Sequence, residues 1–128
     1  MFKKCIILIS FLLIILATAV TAYWSDVSNI SYKRGDNYSQ DIGVSPIPKT
    51  TSDEVAQFEA YNKSSWSTPK ACLVNSEKQE RSNKVDLETN RVYTTNSWAE
   101  YNYYYYYKII GAWNQLGTDR MDFRYNPY

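Results

Sequence analysis

Histidine is absent from all 128 residues. That removes the commonest general base, the commonest metal ligand and every Ser-His or Cys-His nucleophile pair. Cysteine is nearly absent: Cys5 lies in the apolar leader described below, so Cys72 stands alone in the rest of the chain. An intramolecular disulfide between mature residues and a four-ligand Cys/His zinc site are both excluded. Charge of one sign is also lacking. Fourteen Lys and Arg face 13 Asp and Glu, and without Lys3 and Lys4 the balance is 12 against 13. Such a chain has no overall electrostatic footprint for nucleic acid or an anionic membrane surface, so no nucleic-acid partner is expected. No cofactor is implied.

The only long apolar run is at the start. Lys3 and Lys4 precede an apolar stretch from Cys5 to Leu16, and Ala17-Thr18-Ala19-Val20-Thr21-Ala22 has the small residues of a cleavage region. This predicts a secretory signal peptide over 1–22, cut after Ala22 or, alternatively, after Ala19. An uncleaved membrane anchor is the competing reading, since 5–22 is just long enough to span. No basic stop-transfer flank follows it. Cys5 directly follows Lys4 and precedes the apolar run, which does not fit a lipoprotein. The expected location is therefore extracellular, with membrane contact only through an uncleaved leader.

What remains fits one domain. At about this size a chain buries roughly two thirds of its unfolded surface, enough for a core without staples. Residues 23–52 carry Gly35, Gly43, Pro46 and Pro48 among many Ser, Asn and Asp, and read as an extended, poorly ordered lead-in. A short strand is expected near 30–33. From 53 onward side chains alternate. Ala56, Phe58 and Ala60 share one face, Cys72 and Val74 oppose Ala71 and Leu73, Val85 and Leu87 oppose Asp86 and Glu88, and Met121, Phe123 and Tyr125 oppose Asp122 and Arg124. Residues 84–92 and 97–107 each read as a strand, 62–65 as a turn, and 77–83 as a polar tip. Ile109–Leu116 fits either one helical turn or an aromatic-rich loop. The fold expected is all-β, a small antiparallel β-sandwich over 53–128.

Aromatics are what the chain has in surplus: 13 Tyr and 4 Trp, with Tyr at 101 and at every position from 103 to 107. On one continuous strand Tyr101, Tyr103, Tyr105 and Tyr107 fall on one face, and Trp98, Tyr104 and Tyr106 on the other. One face then covers the core while the other displays rings. Trp98, Tyr101, Tyr103, Tyr105, Tyr107 and Trp113 are the candidate binding residues, with a cell-wall glycan or an extracellular protein as partner. Catalytic alternatives are thin. Asp86 and Glu88 are the best carboxylate pair for a glycosidase, but their alternation with Val85 and Leu87 puts them on a solvated face. Cys72, on an apolar strand with no His to lower its pKa, reads as a buried, inert thiol.

The leader, the Tyr-rich strand, the stretch Lys108-Ile109-Ile110-Gly111-Ala112-Trp113-Asn114-Gln115-Leu116-Gly117 and the strand Arg120–Pro127 together resemble a group of small secreted Gram-positive proteins of unknown function, distantly like the lactococcin-972-type bacteriocins. The resemblance covers residues 54–128. It implies a small exported β-sandwich and carries no catalytic residues. The first functional reading is a secreted, non-catalytic binding protein. The second is a bacteriocin-like antimicrobial protein acting on the cell envelope, and the third a small extracellular enzyme.

Overall fold

Ala56, Phe58 and Ala60, Ala71 and Leu73, Val85 and Leu87, and Met121, Phe123 and Tyr125 face one core, whereas Cys72 and Val74 are buried outside it. The computed structural model describes residues 23–128; the predicted signal segment 1–22 lies outside the described residues. The strands are β1 (Ser28–Lys33), β2 (Gly35–Tyr38), β3 (Ile47–Pro48), β4 (Val55–Tyr61), β5 (Lys70–Val74), β6 (Val85–Asp86), β7 (Arg91–Asn96), β8 (Tyr104–Gly111) and β9 (Thr118–Asn126). A single 3₁₀ turn, Ser39–Ile42, follows β2 and is closed by Gly43 in the left-handed region. Among the described residues no helix is long and apolar enough to cross a membrane.

The described residues are all-β, with two antiparallel sheets. The first has the order β1-β9-β4-β7, and the second β2-β8-β5-β6, with β3 also paired to β8. β2 and β3 lie along one side of β8 and β5 along the other. Ala56, Phe58 and Ala60 of β4 and Met121, Phe123 and Tyr125 of β9 point inward from the first sheet. Ala71 and Leu73 of β5 and Tyr105, Tyr107 and Ile109 of β8 point inward from the second. The Tyr107 ring meets Phe123 at 4.7 Å and Tyr125 at 5.0 Å between centroids, the latter edge-on, an arrangement that suits the ring quadrupoles.

Three sequence expectations need correction. Residues 23–52 are not a loose lead-in: β1 pairs with β9, and β2 and β3 with β8, so this segment is woven into both sheets. Its backbone groups are satisfied by distant strands, which composition does not register. Residues 84–92 are not one strand. β6 ends at Asp86, and Asn90, with φ of 59°, turns the chain into β7. The strand expected over 97–107 starts only at Tyr104, because Asn102 adopts a φ of 72°. Of the two options for Ile109–Leu116, the loop is taken from Ala112 onward and no helical turn forms, while Ile109–Gly111 belong to β8.

Two buried lysines run against residue type. The Lys49 ammonium, buried beneath the surface, donates to the carbonyl of Asp53 and to those of Pro127 and Tyr128 at 3.1 Å each. Lys108, on the outer side of β8, is covered while bonded to Glu80 at 2.8 Å, with Asp36 at 3.7 Å. Burial opposes its charge, but Glu80 and Asp36 outweigh burial and hold its pKa above the ordinary lysine value. Lys108 in turn draws the Glu80 carboxyl below its ordinary value.

Candidate binding groove

The stretch leading into β8 is fixed before it reaches the strand. Ser97 bridges to Ser82, its hydroxyl donates to the Arg81 carbonyl at 3.0 Å, and the Trp98 amide donates to the same carbonyl at 2.9 Å. The indole N–H of Trp98 donates to the Glu80 carbonyl at 3.1 Å, which orients the ring along the Glu77–Arg81 hairpin. The turn at Glu100–Asn102 is pinned from two sides. The Asn102 amide donates to Lys49 O at 3.0 Å and the Lys49 amide to Tyr103 O at 2.9 Å. The Tyr105 hydroxyl accepts from the Glu100 amide at 2.6 Å and donates to the Glu100 carbonyl at 3.3 Å.

The six candidate residues therefore separate into three groups. Tyr105 and Tyr107 face the core, each only 4 % exposed; they position the loop and fill the interior. Trp98 is 51 % exposed, and Tyr101 and Tyr103 are exposed as well. The left-handed Asn102 cuts Tyr101 off from the alternation of β8, and Tyr103 precedes that strand, so neither is buried with Tyr105 and Tyr107. Trp113 is exposed, but in the loop beyond the far end of β8, roughly 23 Å from Tyr104 if seven residue rises of a strand separate Tyr104 from Gly111. It does not join the others.

Tyr104 joins the exposed group instead. Tyr103 and Tyr104, each 61 % exposed, line a groove of about 320 Å³ together with Glu77, Gln79, Arg81 and Glu100. The polar wall is preorganised. The Asn75 carboxamide oxygen accepts from the amides of Glu77 (3.0 Å) and Gln79 (2.9 Å), an Asx turn that shapes the hairpin tip. The Gln79 carboxamide oxygen accepts from Asn75 Nδ2 (2.9 Å) and Arg81 Nη2 (3.0 Å), so the guanidinium is held facing the groove rather than sweeping solvent. Neither Glu77 nor Glu100 takes part in an ion pair among the described residues. Tyr101 stands apart, beside Thr50–Asp53. Sequence reading missed Tyr104, Glu77, Gln79, Arg81 and Glu100 as partners. The polar tip at 77–83 was visible as a turn, but no local signal places it in one groove with Tyr103.

Other chemistry is not assembled. Among the described residues no three His, Cys, Asp or Glu side chains gather as a metal site. Cys72 is buried, and burial pushes its thiol up to about 11 although Lys108 pulls the other way. Asp86 and Glu88 are each tied to their own cation, Lys70 and Arg91 respectively. Comparison with protein-family models, with curated proteins and with solved structures finds no match to this chain.

Proposed function

We propose that this is an exported, non-catalytic binding protein whose two sheets stack as a small β-sandwich, and that its groove beside Tyr103 and Tyr104 takes the sugar rings of a cell-wall glycan. The packing of Tyr107 on Phe123 and Tyr125 between the sheets supports the sandwich. The observation that carries the binding reading is the pairing of two exposed phenols with a fixed polar wall of Arg81, Gln79 and Glu77. Sugar rings present C–H faces flanked by hydroxyls. Tyr and Trp supply flat, rigid area at low entropy cost, and the guanidinium, amide and carboxylates supply donors and acceptors for the hydroxyls. Trp98, with its indole N–H already satisfied by Glu80 O, extends the platform along the same hairpin.

The test is retention of the purified protein on insoluble cell-wall polysaccharide, with elution by soluble fragments of it. The expected result is retention that falls at least ten-fold in Tyr103→Ala/Tyr104→Ala with an unchanged melting temperature. Equal retention of that variant, or retention that soluble glycan does not compete, refutes the reading.

A further inference from the structure

The three most exposed large apolar side chains among the described residues are Leu116 (86 %), Trp113 (84 %) and Trp66 (75 %). All belong to two connections between the sheets, 62–69 after β4 and 112–117 after β8. Both connections meet at the same end of the molecule, around Tyr32 and the start of β9. The Ser64 amide donates to Arg120 O at 2.9 Å, and Gln115 Nε2 donates to Tyr32 O at 3.0 Å. Gln115 is itself buried, so it anchors the loop while Trp113 and Leu116 stand out on either side of it. Gly111 lets the loop depart close to β1: a Cβ there would collide with Lys33 O and Gln115 Oε1. The apolar tips are thus held in the open by a built loop.

Charge at this end is not neutral. The hollow at Leu116 is lined by Lys33 and Arg34 with Gln115, Gly117 and Thr118, and by no acid. Outside ion pairs, this end carries Lys33, Arg34, Lys63 and Arg120 against Asp119 and Asp122. The whole-chain balance near zero conceals this local excess. The apolar side chains stand at separate loop tips, where a folded partner would need several matching pockets. A lipid headgroup layer deforms around separate tips, favours Trp at its boundary and attracts unpaired cations when it is anionic.

We infer that the end bearing Trp66, Trp113 and Leu116 docks on an anionic lipid surface, with these side chains in the headgroup region and Lys33 and Arg34 against lipid phosphates. The aromatic groove lies at the other end of β8. The inference stands on different residues from the groove and does not depend on what the groove binds.

Co-sedimentation of the purified protein with vesicles of phosphatidylglycerol and phosphatidylcholine tests it, with pure phosphatidylcholine vesicles as the comparison. The expected result is binding to the anionic vesicles with a blue-shifted Trp emission. Lys33→Gln/Arg34→Gln weakens it roughly thirty-fold at low salt, about five-fold per cation. Trp113→Ser/Leu116→Ser, both exposed positions, weakens it at least ten-fold with an unchanged circular dichroism spectrum, and Trp66→Ser checks the second loop independently. Tyr103→Ala/Tyr104→Ala binds vesicles as the parent does. No sedimentation of the parent, equal binding to uncharged vesicles, or undiminished binding of Trp113→Ser/Leu116→Ser overturns the inference.

Discussion

Two tyrosines packed edge to face in the core should respond with opposite signs to the same one-atom deletion. The Tyr125 hydroxyl donates to the Tyr105 carbonyl at 2.9 Å. The Tyr107 hydroxyl is buried and finds no hydrogen-bond partner among the described residues. Tyr125→Phe removes a buried hydrogen bond, which costs about 1 kcal/mol. Tyr107→Phe removes an unpaired buried polar group, a burden of roughly 1–3 kcal/mol, and leaves a void of one oxygen that returns part of it. A net gain of about 1 kcal/mol is expected, so the variants should differ by about 2 kcal/mol, or roughly 8–16 °C in melting temperature for a domain near 100 residues. Alkaline pH supplies a second reading. Burial pushes the Tyr107 and Tyr32 phenols up to about 12 and Tyr125 higher still, whereas unfolded tyrosine titrates near 10. The unfolded chain therefore loses these protons first. Stability is unaffected below about pH 10 and falls as pH rises from there towards 12, by up to about 1.4 kcal/mol per pH unit for each buried phenol. Tyr107→Phe should make that decline shallower by one phenol's share. Urea unfolding followed by circular dichroism between pH 7 and 11.5 measures both. A Tyr107→Phe variant destabilised as much as Tyr125→Phe, with an unchanged alkaline slope, would refute the reasoning.

Lys49→Met keeps the side-chain length but strips a buried ammonium from three carbonyls; a loss of about 3 kcal/mol is expected, with hydrogen exchange accelerating first at 49–54 and 126–128. An unchanged urea midpoint would show that the clamp contributes nothing. Cys72, with its thiol raised to about 11 by burial, should resist iodoacetamide at pH 8 in the native state and react readily in urea; rapid native labelling would contradict its placement.

Where one strand face is apolar and the other polar, the sequence stated the outcome in advance. Ala56, Phe58 and Ala60, and again Met121, Phe123 and Tyr125, can reach a common core only on extended chain, because successive side chains leave opposite sides of it. The all-β class, the turn at Asn62 and the burial of Cys72 follow from the same local rules. The Tyr run was different. Tyr suits a buried and an exposed position alike, so a row of them carries no information about which alternate set faces in. That choice fell to the pairing of β8 with β2, β3 and β5, which buries Tyr105 and Tyr107, while the left-handed turn at Asn102, held by two backbone bonds to Lys49 more than fifty residues earlier, cuts Tyr101 off from the strand. Tertiary structure also decided what residue type argued against. Lys49 and Lys108 are buried because carbonyls and carboxylates converge on them from distant segments, and 28–48 is stranded because β8 and β9 offer edges to it. The groove and the cationic loop end arise the same way, since side chains remote in sequence acquire a joint chemistry only when two sheets set their connections side by side. Local pattern determined which strands could form; long-range pairing determined which of their side chains meet solvent together.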